Sequence, residues 1–414
     1  MLLNRPRADD YMLQSGVDAL VATSPANVTY FTGFECWLAS GFAEFMIEPG
    51  GSGLLAQQNF ALLPRKGDPA LIVEPYFVVD TCELWVADVR PAGGGDYEEA
   101  ADGVSAPPHL RPALDTLLAS SPADPLDALA RALQDRGLAD GVIGIELEGR
   151  RPDLAAQLGR LLPRARLRDC TNLLRLVRAV KTPTEIERLE QAAARAEEAA
   201  HEAFASAPSS FSELVSAYRR ALGARGADFD HFALGLRGLG VSSNATYRFD
   251  ADDVLFADWG CRLRGYFSDT GTTLCFAPPS AEVGGRHGAI RAALDAGARA
   301  LRPGVKGSAV QAAMSEALGG HGVTGSYPFG HGFGIEHRDY PIMVADNGRH
   351  IRDDCVDVPS DLPLEVGMVV NLEVPLFTLG VGSMQTEQSF VVTGDGCRSL
   401  IEQKRDEVEQ LSST

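Results

Sequence analysis

The chain is short of basic charge, of paired cysteines and of long apolar runs, and each shortage excludes something. Its 37 lysines and arginines stand against 56 aspartates and glutamates, a formal net charge of −19. That balance disfavours nucleic acid and anionic membrane surfaces as partners and suits solubility. Seven cysteines, at positions 36, 82, 170, 261, 275, 355 and 397, form no C-x-x-C pair, and their number is odd. Reduced thiols are expected, rather than a disulfide framework or a cysteine zinc site. No apolar stretch reaches the length of a membrane-crossing helix. The opening segment, MLLNRPRADDYML, carries acidic residues where a secretory leader needs its apolar core, so a cytoplasmic location is expected. Internal repeats and long low-complexity tracts are also missing.

What is present is an ordinary globular composition, 45% apolar and 22% charged over 414 residues, long enough for two or three domains with filled cores. DALVAT, PALIVEP, ADVRP and GVIGIEL read as short buried strands. LDALARALQDRG, closing at Gly137, and LAAQLGRLL read as amphipathic helices. This alternation predicts an α/β layer domain over residues 1–176. The segment GGGDYEEAADGVSAPPHLRP, rich in glycine, proline and acid, reads as a surface loop. The clearest helix is TPTEIERLEQAAARAEEAAHEAFASA, with Pro183 ahead of it and Thr184 as its candidate cap. It opens a second domain, residues 177–414. There VLFADWG, GYFSD and TTLCF read as strands, IRAALDAGARAL and GSAVQAAMSEALGG as helices, and MVVNLEVPLF and SFVVT as antiparallel strands. Strands grouped apart from helices predict an α+β fold.

Five metal-preferring side chains follow one another in this second domain: Asp258, Asp269, His331, Glu373 and Glu387. Hard carboxylates with one imidazole are what a pair of divalent cations needs if it is to share ligands and a water. Asp258 and Asp269 flank WGCRLRGYFS, whose glycines allow a hairpin that sets the two carboxylates on adjacent strands. Carboxylates that close repel unless a cation lies between them. His331 stands between glycines in FGHGFG, which lets neighbouring backbone approach and fix its ring. His337 lies nearby and could donate to a substrate carbonyl. In GMVVNLEVP, period two puts Val369, Asn371 and Glu373 on one face, so Glu373 is an acid in an apolar strand. Glu387 sits just before the apolar SFVVT. Taken singly, each has an ordinary structural reading: aspartates cap turns, a lone histidine fills a core, glutamates line edge strands.

Together, FADWGCRLRGYFSD, GHGFGIEH, LEVGMVVNLEVPLF and SMQTEQSFVVTGDG resemble the pita-bread metallopeptidase family, the group of methionine aminopeptidase, aminopeptidase P, prolidase and creatinase. SPANVTYFTGF is similar to the creatinase-type N-terminal domain, and LRLVRAVKTPTEIERLEQA to the linker and first helix that follow it. The resemblance spans nearly the whole chain. It implies a creatinase-like α/β domain followed by an α+β pita-bread catalytic domain. It also implies two divalent metal ions per chain, of manganese, cobalt, iron or zinc, and a homodimer. Asp258 would chelate the first metal, Asp269 and Glu387 would bridge, and His331 and Glu373 would complete the second. Glu373 would also shuttle a proton, and His337 would polarise the scissile carbonyl.

The chain departs from the family pattern around this set. A histidine that usually precedes the first metal aspartate, in a context like N-x-x-x-H, is replaced in SSNATYRFDADD by Tyr247 or Arg248. The spacing from His331 to His337 is one residue short, Arg338 and Asp339 follow where a glutamate is common, and Gly271 in SDTGTT replaces a threonine. His337, Tyr247, Arg248 and Arg338 are therefore the expected substrate-facing residues. The leading expectation is a Xaa-Pro dipeptidase or aminopeptidase P acting on a short peptide. A second keeps fold and metals but takes a non-peptide C–N substrate of creatine-like or cyclic amidine type, by hydrolysis or lysis. A third, a metal-free binding module, is disfavoured by retention of all five donors.

Overall fold

The structure, a computed structural model, describes residues 1–37, 59–93, 97, 103–119, 124–147, 153–243, 245–402 and 408–411. It divides into two compact units, one of Met1–Arg178 with Ile351–Val358, the other of Ala179–His350 with Pro359–Thr414. The segment Ile351–Val358, which the sequence placed in the second domain, belongs to the first unit. There Asp353 Oδ2 accepts from the backbone N–H groups of Asn172 (2.7 Å) and Leu173 (2.9 Å), at the start of the helix Thr171–Ala179.

In the first unit the strands are β1 (Ala19–Ala22), β2 (Phe60–Pro64), β3 (Ala70–Val73), β4 (Asp88–Pro91), β5 (Val142–Ile145) and β6 (Arg166–Asp169). They form one mixed sheet in the order β4-β3-β2-β1-β5-β6. DALVAT, PALIVEP and GVIGIEL supply the inner strands β1, β3 and β5, which with β2, not picked out from the sequence, are buried throughout. ADVRP, expected to be a buried strand, is instead the half-buried edge β4 because its charged residues reach solvent there, and the charged β6 is the other edge. The helix Pro125–Asp135 packs against β2 and β3, its Leu126, Leu129 and Leu133 sharing a core with Phe60, Leu62 and Ile72. The segment read as a loop has residues 94–96 and 98–102 outside the described residues. Its far end is helical, a 3₁₀ turn at Pro108–Leu110 leading into the helix Arg111–Leu118, because prolines are accommodated at the first turn of a helix.

The second unit opens with the helix Pro183–Ala205. Its cap is Thr182 rather than Thr184. Pro183 occupies the first helical position, where a missing N–H costs nothing, and Thr182 and Glu185 close a reciprocal capping box. The strands are β7 (Asp228–Leu236), β8 (Gly240–Ser242), β9 (Val254–Leu263), β10 (Tyr266–Phe267), β11 (Thr270–Cys275), β12 (Phe329–Gly332) and β13 (Asp339–Met343). The two-stranded ribbon of β14 (His350–Arg352) and β15 (Asp357–Pro359) falls mostly in Ile351–Val358 of the first unit, and the second unit resumes with β16 (Val369–Thr378), β17 (Gly382–Val392), β18 (Cys397–Ser399) and β19 (Glu409–Gln410). The main sheet runs β13-β12-β16-β17-β11-β9-β7-β8.

One face of this sheet is apolar and carries helices. Leu255, Ala257 and Trp259 of β9 pack under Pro183–Ala205 and Phe211–Ala224. Val370, Leu372, Val374 and Leu376 of β16 pack under Ala281–Ala300 and Gly307–Gly320. Period two then sends the intervening residues, Asp258 on β9 and Asn371 and Glu373 on β16, to the opposite face. Strand β17 is longer than SFVVT and contains Glu387 mid-strand, paired with Glu373. Its first half is polar because it lines that face, so hydrophobic alternation did not reveal it.

Candidate metal centre

Five neighbouring strands bring the five expected donors to one place. Asp258 opposes Gly271 across β9 and β11, Gly271 opposes Glu387 on β17, Glu387 opposes Glu373 on β16, and Glu373 opposes Phe329 on β12. Asp269 and His331 stand two residues along from Gly271 and Phe329, which keeps them on the same face. His331 Nε2 lies 3.3 Å from Asp269 Oδ2 and 3.3 Å from Glu373 Oε1. One donor atom from each of Asp269, His331 and Glu373 falls within 4.8 Å of the others.

The backbone is shaped for close approach. A Cβ at Gly330 would stand 2.5 Å from the Asn371 carbonyl oxygen, and one at Gly332 would stand 2.2 Å from that of Tyr340, so only glycine admits β16 and β13 beside His331. A register shift follows His331, and its Nδ1–H donates to the Gly332 carbonyl at 3.0 Å, leaving Nε2 for the carboxylates. Gly271 plays a similar part: a Cβ there would lie 2.6 Å from Glu387 Oε2 and 2.7 Å from Gln385 Nε2. The space a threonine would fill is taken by the Gln385 amide, which donates to Glu387 Oε2, while the Asn371 amide donates to Oε1.

Charge is concentrated and buried here. Burial, reinforced by the charges of Asp269, Asp258 and Glu373, pushes the Glu387 carboxyl well up. Burial raises Glu373 against the opposing hydrogen bond from His331, and raises Asp258 against that from His231. Asp269 goes the other way: burial would raise it, but hydrogen bonds from His331 and His337 outweigh that and hold it below the carboxylate range. Burial opposes a charged His331, yet its contacts with Asp269 and Glu373 raise it to about 10. Acids forced up and imidazoles forced up in one pocket mark a site deficient in positive charge. Four hard carboxylates with an imidazole fit divalent cations, which would supply that charge.

The remaining expected residues separate. His337 joins the cluster: its Nε2 lies 3.4 Å from Asp269 Oδ2, its Nδ1 lies 3.1 Å from Asp230 Oδ2, and its side chain is 40% exposed at the rim. Those two hydrogen bonds raise it to about 9 against burial. Arg338 is exposed. Tyr247 and Arg248 are engaged elsewhere. The Tyr247 hydroxyl bonds Asp253 at 2.8 Å and accepts from Arg237 at 3.1 Å, and the Arg248 backbone pairs with that of Ser210 in an isolated β-bridge. Asp253 precedes Asp258 by about 16 Å of extended strand. In place of a histidine from that loop, the structure brings in His231 of β7, which sequence reading missed. Its Nε2 lies 2.9 Å from Asp258 Oδ1, and its Nδ1 donates to Asp230 Oδ2 at 2.7 Å. The alternation of Phe232 and Leu234 marks β7 as a strand, but nothing local marks His231 as part of this site.

Residues 184–394 match the family model for metallopeptidase family M24, and residues 5–180 match that for the creatinase/prolidase N-terminal domain. The chain belongs to metallopeptidase family M24. All five donors lie within the M24 span. An uncharacterized peptidase of Bacillus subtilis, YqhT, is 24% identical over 400 residues, 94% of each chain. An Xaa-Pro dipeptidase of Lactobacillus helveticus is 26% identical over 157 residues, 37% of this chain and 39% of its own. The X-Pro aminopeptidase of Thermotoga maritima superposes with a TM-score of 0.72 at 20% identity, over 97% of this chain and 100% of that one. Dipeptidase PepE of Mycobacterium ulcerans gives 0.68 at 22% identity, over 99% and 97%. These structures establish the shared fold, a creatinase-type N-terminal domain with a pita-bread catalytic domain. This M24 member is a metal-dependent hydrolase of the peptidase type.

Proposed function

We propose that this M24 enzyme hydrolyses the amide bond that precedes proline in dipeptides or other short peptides. The observation that carries the reading is the convergence of Asp258, Asp269, His331, Glu373 and Glu387 from five adjacent strands onto one buried polar face. These five would hold two divalent cations. When bound, such a pair lowers the pKa of a shared water toward neutrality and polarises the substrate carbonyl.

The chain's own residues then divide the remaining work. Glu373, 13% exposed at the edge of the buried cluster, is placed to take a proton from the attacking water and pass it to the leaving nitrogen. His337, anchored through Nδ1 by Asp230 and with Nε2 3.4 Å from Asp269 Oδ2, stands partly exposed beside the donors; with Asp269 committed to the cations, that Nε2 would be the nitrogen that hydrogen-bonds the carbonyl oxygen as charge develops. Asn371 and Gln385 hold the Glu387 carboxylate by its two oxygens, so its orientation does not depend on the cations. The names of several relatives, Xaa-Pro dipeptidase and X-Pro aminopeptidase among them, support proline peptides as the substrate class.

The position of Tyr247 and Arg248 away from the donors supports a second reading, in which the same centre acts on a non-peptide C–N bond. A substrate screen separates the two. Enzyme loaded with Mn(II) is offered Xaa-Pro dipeptides, Xaa-Pro-Xaa tripeptides and cyclic amidines; turnover of a proline peptide is expected, and turnover of amidines alone would replace the first reading with the second. Manganese, cobalt, iron and zinc all suit the donor set, and elemental analysis of protein purified without chelator decides among them. Seven free thiols suit a reducing, cytoplasmic compartment. Among the described residues no helix is long and apolar enough to cross a membrane. The family resemblance supports a homodimer, which light scattering on the purified protein tests.

A further inference from the structure

We propose that His231 is a sixth protein donor of the metal centre, joining Asp258 and Asp269 at the first cation, and that Asp230 is the carboxylate that orients it. The inference rests on the reading of the five-donor site given above and adds to it a residue outside that set.

The geometry is that of a ligand. His231 Nε2 lies 2.9 Å from Asp258 Oδ1 and 3.6 Å from Asp269 Oδ1. Two donors each about 2.1 Å from one cation stand roughly 3.0 Å apart at a right angle and roughly 3.4 Å apart at a tetrahedral angle. One donor atom from each of the three residues lies within 4.8 Å of the others.

The ring is also built into its position. Strand β7 shifts register against β9 between Phe229 and His231, so Asp230 is an extra residue in the ladder. In a regular strand Asp230 and His231 would point to opposite faces; the bulge lets the Asp230 carboxylate reach the neighbouring imidazole. His231 opposes Gly260, where a Cβ would stand 2.5 Å from His231 Cε1 and 2.9 Å from Nδ1, so the ring is seated directly on bare backbone. Asp230 Oδ2 accepts from Nδ1 of both His231 and His337. A carboxylate on Nδ1 with Nε2 turned to the cation is the usual outer support of a metal-bound histidine. His331 has the equivalent arrangement, with the Gly332 carbonyl in the anchoring role.

A second imidazole shifts the donor set from oxygen towards nitrogen, which favours zinc and cobalt over manganese. Equilibrium dialysis of the whole protein against Zn(II), Co(II) or Mn(II), read by elemental analysis, tests this in the wild type and in His231→Gln, Asp230→Asn and His331→Gln. His231→Gln is expected to weaken Zn(II) and Co(II) at one site by roughly tenfold or more, Mn(II) by less, and to change the visible spectrum of the Co(II)-loaded protein. Asp230→Asn is expected to act in the same direction, more weakly. In Co(II)-loaded wild type, two paramagnetically shifted imidazole N–H resonances are expected, from His231 and His331; this holds the test open should the variant fold poorly. Unchanged affinities and spectrum in His231→Gln, or a single shifted resonance in the wild type, would overturn the sixth donor. If metal is then still lost in His331→Gln, the five-donor site stands alone. Wild type that binds none of the three metals would overturn both.

Discussion

Each unit buries carboxylate in its interior, and the two do so in opposite ways. In the first, Glu146 is 5% exposed and satisfied by neutral donors. Its Oε2 accepts from the backbone N–H groups of Thr23 (2.9 Å) and Ser24 (2.8 Å), its Oε1 accepts from the Asn27 amide (2.8 Å), and Asn27 in turn accepts from Arg178. In the second, Asp258, Asp269, Glu373 and Glu387 face one another, and the positive partners of the first three are imidazoles. A lone carboxylate saturated by donors holds a fold together. Several that share a pocket raise one another's pKa, and the structure retains that cost where a cation can relieve it.

The largest test of this contrast is Glu373→Gln. It keeps the shape of the cluster but removes the proton carrier, so kcat should fall by about 10²–10⁴-fold while elemental analysis still finds metal. Activity near wild type would mean that the cluster's edge carboxylate is structural, like Glu146. The converse change, Glu146→Leu, should destabilise the first unit by about 3 kcal/mol in urea unfolding, because Thr23, Ser24 and Asn27 lose their acceptor. Its metal content should not move.

Glu185 gives a smaller effect and sharpens the comparison, since it is buried outside the cluster. It accepts from the Thr182 N–H at 2.8 Å and the Tyr266 hydroxyl at 3.1 Å. Burial nonetheless wins over these bonds and pushes its carboxyl from 4.5 up to about 7. An acid raised on folding adds stability that is complete below its unfolded pKa and is lost as pH rises through the folded one. Stability should therefore fall by up to about 3 kcal/mol between pH 4.5 and a little above 7. The fall should disappear in Glu185→Gln when both proteins are unfolded across that range. An equal fall in the variant would assign the pH dependence to other groups.

Much of this was readable along the chain, for local reasons. Inner strands of the first unit are continuous apolar runs because both their faces are buried. In β16 the alternation of Val370, Leu372 and Val374 with Asn371 and Glu373 separates a helix-covered face from a donor face. The glycines beside His331 declare a crowded backbone. The first half of β17 escapes the hydrophobic pattern because Gln385 and Glu387 are polar for the site's sake. The cap of Pro183–Ala205 was placed at Thr184 because the pattern alone does not say that Pro183 is already helical.

Local pattern thus marked most of the strands and helices, since each depends on neighbours a few residues away, whereas the five candidate donors stood out as a set through the whole-chain family resemblance. Packing settled which donors meet. The registers that align Asp258, Gly271, Glu387 and Glu373 join strands far apart in the chain, and a shift of one residue in any of them would turn a carboxylate to the other face. Packing alone also placed His231 in the site and left Tyr247 and Arg248 out. One extra residue at Asp230 re-aims an imidazole, and a bulge of one residue leaves no trace in the pattern of the strand that carries it.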